Sequence, residues 1–230
     1  MTAPFVSTTP HPELDELIAV LERLRAPGGC VWDREQTHAS LVQYLVEETF
    51  ELVDAIEAGS RDELVEELGD VLYQVIFHAD IAAEAGQFTL EDVAAHMRAK
   101  MVARHPHVFG EATAETSDDV VATWEAVKSV EKAHRTSVLE GIPQGMPSLA
   151  LADKMLGRAA KVGVTREPAS IPATEEALGA ELLAIVAAAR AAGLDGERAL
   201  RGALRTLQNE VSSAEGASDS ATNTPATNTR

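Results

Sequence analysis

Two long stretches of helical apolar period, from about His38 to Ile56 and from about Arg61 to Glu84, are separated by little more than Ala58-Gly59-Ser60. Helices joined by so short a break double back on one another, so the chain must contain an antiparallel helix hairpin. The turn chemistry agrees. Gly59 suits the left-handed conformation that closes a helix, and Ser60 with Glu63 three positions on forms a capping-box pattern. Ten of the twenty-four positions from 47 to 70 are Asp or Glu, against the single cation Arg61. Either these anions form a solvated face, or some of them point inward at a cation.

Helical spacing separates the two cases. On the first arm Leu41, Val42, Leu45, Leu52, Val53 and Ile56 cluster on one side, with Glu48 on the rim of that sector and Glu51 one turn later. On the second arm Leu64, Leu68, Val71, Val75 and Ala79 define the expected buried side, flanked by Glu67 and Asp70, again three apart. Each arm therefore brings two carboxylates to the core edge at comparable depth from the turn. Four converging anions are unfavourable unless protonated, hydrated or bound to a cation. Oxygen-only ligands favour Mg²⁺, with Mn²⁺ as an alternative, over Zn²⁺. Asp54, Glu57, Asp62, Glu63 and Glu66 are assigned to solvent and capping. A di-iron centre would require Glu-x-x-His pairs, and that spacing occurs at Glu131 to His134, away from the hairpin. His78 reads as a packed edge histidine.

The rest of the chain is helical in character. Aromatic residues make up 4% and hydrophobic residues 45%, and the 3.6-residue period dominates. The predicted class is all-α: a helical bundle with the acidic hairpin at a metal site, completed by dimerisation. A net charge of -18 removes the electrostatic footprint expected for nucleic-acid or anionic-membrane binding. The lone Cys30 forms no internal disulfide, no apolar run approaches the roughly 18 residues of a membrane span, and the first residues do not resemble a signal peptide. The expected location is cytoplasmic.

Residues 1–12 read as a disordered lead and 13–134 as the catalytic domain, with helices starting at Glu13, Thr89 and Ser117. Residues 135–173 read as a Pro/Gly-rich linker with one short helix, and 212–230 as a disordered polar tail. Between them, 174–211 reads as a degenerate repeat. EALGAELLAIV at 176–186 follows EELGDVLYQVI at 66–76 at an offset of 110, but Ala177 and Ala180 stand where the first copy has Glu67 and Asp70.

Glu47-Glu48-Thr49-Phe50-Glu51, followed after fifteen residues by Glu67-Leu68-Gly69-Asp70, resembles the MazG family of nucleoside triphosphate pyrophosphohydrolases. The blocks GGCVWDREQTH, RHPHVFG and TWEAVK extend the resemblance over about residues 13 to 165. It implies an Mg²⁺-dependent conversion of an NTP and water to the NMP and pyrophosphate. Glu48, Glu51, Glu67 and Asp70 would be the metal ligands, and Glu47 a further ligand or the group that activates water. Lys100 and Arg104 resemble the family's phosphate contacts, and Trp124 with Lys128 a base-stacking and polar pair. Tight dimers are expected. Long members carry two such domains in tandem, and here the second lacks the acids, so activity would reside in the first. A narrower dCTP or phosphoribosyl-ATP pyrophosphatase, or a non-catalytic helical interaction protein, are the alternatives.

Overall fold

The computed structural model describes residues 9–167 and 170–222, and every regular element among them is helical. In chain order these are α1 (Pro12–Arg25), α2 (Val31–Glu35), α3 (Val42–Ala58), α4 (Arg61–Glu84), α5 (Leu90–Arg104), α6 (Pro106–Phe109), α7 (Ser117–Glu131), α8 (Ser148–Ala159), α9 (Glu175–Ala191) and α10 (Gly196–Thr222). They divide into two compact units, with the boundary between Lys128 and Ser129.

In the first unit α3 and α4 form the expected hairpin. Ser60 caps α4 reciprocally with Glu63, and Thr89 caps α5 with Asp92, each satisfying backbone donors that a helix start leaves open. Gly59 differs from expectation. Its backbone is extended (φ -81°, ψ 170°), and glycine is needed there because a Cβ would fall 2.6 Å from the Ala55 Cα.

Leu21, Leu41, Ile76 and Phe77 form the buried centre of this unit, with Leu17, Ile18, Tyr44, Tyr73, Ile81 and Leu90 packed around it. Arg25, at the end of α1, is buried beneath it. Its guanidinium donates to Asp80 and Glu84 of α4 and to the Asp33 backbone carbonyl, and lies 5.3 Å from the Phe77 ring centroid. A buried cation is tolerable only with such a complete set of partners. This network fixes α1 and the α2 segment onto α4.

The hairpin's expected buried faces are only partly covered. Leu41 and Ala79 are buried, but Val42, Val53, Ile56, Leu68 and Val75 are exposed. With Val46, Phe50, Val65 and Leu72 they leave a broad apolar surface on α3 and α4.

The second unit builds its own core from Leu139, Ile142, Leu151, Met155, Ala159, Leu204, Leu207 and Val211. The segment expected to be a linker therefore supplies five of those eight core residues. Its apolar residues were too widely spaced among Pro and Gly to show a period, and only α10 gives them a surface to pack on. The expected disordered tail is also corrected in part. α10 continues through Thr222, because Val211 is fully buried and Glu215 accepts a hydrogen bond from the Val138 backbone. The rest of the tail, 223–230, and residues 1–8 of the lead lie outside the described residues, while α1 begins at Pro12.

Candidate metal centre

The hairpin turn sets the register of the acids. Because α3 enters and α4 leaves through the same capped turn, Glu48 of α3 comes level with Glu67 and Asp70 of α4. One carboxylate oxygen from each of these three lies within 4.8 Å of the others. Glu51 lies within hydrogen-bonding reach of Glu48 and acts electrostatically on Glu67, so it borders the triad. Glu47 is exposed on α3, one position before Glu48.

The carboxylates of the cluster act on one another as like charges. Burial, with the charges of Asp70, Glu51 and Glu67, holds the Glu48 carboxyl above the usual carboxylate range. Burial and its acidic neighbours, Glu51 and Asp70 first, raise Glu67 likewise. Glu67 Oε2 is buried without a hydrogen-bond partner among the described residues. An orphaned anionic oxygen beside two further carboxylates fits a hard divalent ion, which would supply the missing contact and remove the repulsion.

The predicted basic and aromatic contacts form a second group. Arg104 is buried with its guanidinium 5.0 Å from the Trp124 ring centroid, and the His105 ring meets Trp124 edge-on at 5.1 Å. Arg104 and Trp124 are thus brought together. Lys128 is paired with Glu125 at 2.9 Å. Lys100 is half-buried on α5, one turn before Arg104.

Two polar residues of this unit were not among the predicted site residues. Gln74 is buried inside α4 with its amide oxygen unpartnered. His78 stacks on His38, with ring centroids 5.1 Å apart and the two Nδ1 atoms 2.8 Å apart. The i, i+3, i+7, i+11 series Glu67, Asp70, Gln74 and His78 could have been read as one polar stripe along α4.

The model of the MazG nucleotide pyrophosphohydrolase domain matches residues 36–109, which hold all five acids of the motif together with Lys100 and Arg104. The nucleoside triphosphate pyrophosphohydrolase/pyrophosphatase MazG of Thermotoga maritima is 40% identical over 210 residues, 83% of this chain and 81% of that protein. The chain belongs to the MazG family. A 26.1 kDa protein from the blaB 3' region of Streptomyces cacaoi is 46% identical over 209 residues, covering 90% of this chain and 84% of its own length. The nucleoside triphosphate pyrophosphohydrolase of Escherichia coli is 44% identical over 154 residues, 66% of this chain, and the match spans 59% of that relative.

MazG membership and the all-α fold agree with the expectations from sequence, and the acidic triad is one that could bind a metal. Among the described residues no single helix is long and apolar enough to cross a membrane.

Proposed function

We propose that this protein is an Mg²⁺-dependent nucleoside triphosphate pyrophosphohydrolase, with Mn²⁺ as an alternative ion. It would convert an NTP or dNTP and water to the NMP or dNMP and pyrophosphate, in housekeeping or stress-related nucleotide clearance. The observation that carries this reading is the convergence of Glu48, Glu67 and Asp70 within 4.8 Å around the unpartnered Glu67 Oε2.

Glu48, Glu51, Glu67 and Asp70 would hold the ion. When bound, it would polarise the phosphoryl oxygens, lower the pKa of a coordinated water and neutralise charge on the leaving pyrophosphate. Glu47, exposed beside this set, is assigned to orient or deprotonate the attacking water. The water oxygen joins one phosphorus of the α–β anhydride as the bridging P–O bond breaks, and attack at either phosphorus yields the same products. Lys100 and Arg104 are assigned to the phosphates, and Lys128, on release from Glu125, to a polar contact beside the base. The Arg104 guanidinium lies over the Trp124 ring, and Trp124 is assigned to stack on the base.

The reading includes a homodimer in the cytoplasm. A second copy of the α3–α4 hairpin is a suitable cover for its exposed apolar surface, giving a four-helix core.

Pyrophosphate release from a panel of canonical NTPs and dNTPs, with and without Mg²⁺, tests the proposal beside Glu48→Gln and Asp70→Asn. Metal-dependent release by the wild type, lost in both folded variants, is the expected result. A wild type silent on every nucleotide would refute the reading.

A further inference from the structure

The polar face of α4 continues past the metal-site acids. At about 100° per residue Glu67, Asp70, Gln74 and His78 fall within one arc of about 80°. At about 1.5 Å per residue Gln74 lies roughly 6 Å, and His78 roughly 12 Å, along the axis from Asp70. Three of the four carry a buried polar atom without a partner among the described residues: Glu67 Oε2, Gln74 Oε1 and His78 Nε2.

Gln74 is the clearest case. It is 7% exposed, next to Ile76 and Phe77 of the core, and its amide oxygen accepts nothing. Burying such an orphan is unfavourable, and a methionine of similar shape would avoid the penalty. The penalty is offset if a ligand donor reaches that oxygen.

His78 carries a second such atom in its Nε2. With the two Nδ1 atoms 2.8 Å apart, one ring donates and the other accepts. If His38 donates, His78 Nδ1 is the acceptor and its Nε2 carries the proton. His38 sits in a loop held by reciprocal Thr37–Ser40 hydrogen bonds and by the Ser40 hydroxyl donating to Gln36 Oε1. This loop fixes the ring that orients His78.

We propose that Gln74 and His78, with His38 as the positioning residue, read the edge of the substrate's base and select one carrying an exocyclic amine beside a ring nitrogen, adenine or cytosine. The proposal includes the tautomer in which His38 Nδ1–H donates to His78 Nδ1, so that His78 Nε2–H donates to the ring nitrogen while the Gln74 carbonyl accepts from the amine. The sugar spans the offset along α4 between the phosphates at the acids and the base at these two residues. The proposal rests on the pyrophosphohydrolase reading for its substrate class.

Two experiments test it. In the first, kcat/KM for ATP and CTP is divided by that for ribose 5-triphosphate, which has no base, in the wild type, Gln74→Met and His78→Leu. A fall in this ratio of about ten-fold or more in each variant is expected. An unchanged ratio overturns the proposal, as does a wild-type preference for UTP and GTP.

In the second, histidine ¹⁵N shifts of the metal-free full-length protein are followed during titration with AMP, CMP, UMP and ribose 5-phosphate. The His78 Nε2 signal should move with AMP and CMP and stay in place with ribose 5-phosphate. A His78 signal unmoved by AMP and CMP overturns the base contact. If the wild type releases no pyrophosphate at all, the enzymatic reading fails, while this titration still decides whether Gln74 and His78 bind a base.

Discussion

The stretches at 66–76 and 176–186 share a Leu-Gly pair and an apolar rhythm, yet they do opposite things in the structure. The first lies in α4, buries Gln74 and Ile76, and places Glu67 and Asp70 against Glu48 of α3. The second lies in α9, which has no buried residue and leaves Leu182, Leu183, Ile185 and Val186 exposed. The difference comes from what precedes each stretch. A capped turn after α3 delivers a partner helix to α4, whereas α9 follows an irregular segment that supplies none. An apolar rhythm makes a helix; a neighbour in the chain makes it half of a site.

The largest expected effect is on chemistry. Glu67→Gln should lower kcat/KM for nucleotide hydrolysis by about 10²-fold or more, as loss of a group stabilising developing charge does. The mirror experiment, Ala177→Glu with Ala180→Asp, should add no second Mn²⁺ site by calorimetric stoichiometry, because no acid-bearing helix is delivered to α9 through a turn before it. A new tight site there would break the comparison.

The next effect is on assembly. Phe50→Asp with Leu68→Asp, at positions 56% and 52% exposed, should shift the proposed homodimer to monomers in sedimentation. Leu183→Asp on α9 should leave the association state unchanged.

Stability should move opposite to activity at the acids. The folded protein holds the Glu48 and Glu67 protons more tightly than the unfolded chain does. Their contribution therefore favours the fold at low pH and is lost as pH rises from the ordinary value of 4.5 through the raised native values. Metal-free Glu67→Gln should accordingly melt above the wild type at pH 7.5, with the gap closing below the ordinary carboxylate value. Mg²⁺ should raise the melting temperature of the wild type and leave that of the variant nearly unchanged. A lower melting temperature for the metal-free variant would remove the argument from repulsion.

The smallest effects come from the caps. Ser60→Ala removes a capping box and should cost about 1 kcal/mol in chemical denaturation, with some activity lost as the hairpin register loosens. Thr174→Ala removes the hydroxyl that accepts from the Ala177 N–H at the start of α9, and should reduce helicity without changing activity.

The residues legible from sequence were those governed by local rules. The hairpin, the Ser60–Glu63 capping box and the pairing of acids three apart follow from periodicity and capping over a few turns. Arg25 gave no such signal, because its partners Asp80 and Glu84 lie 55 and 59 residues away in sequence. The core role of Leu139 and Ile142 was hidden for the same reason. The buried faces of α3 and α4 were misjudged at Leu68 and Val75, since a helical wheel identifies an apolar side but not what covers it.

By itself the sequence determined the helices, their capped turns and the set of acids that one turn can bring together, because these depend on interactions within a few residues. The tertiary structure alone decided which acids meet within 4.8 Å, which polar atoms of α4 are left without partners, and that the presumed linker and α10 form a second core. Those outcomes depend on contacts between residues far apart in the chain, whose geometry is set only when the helices pack.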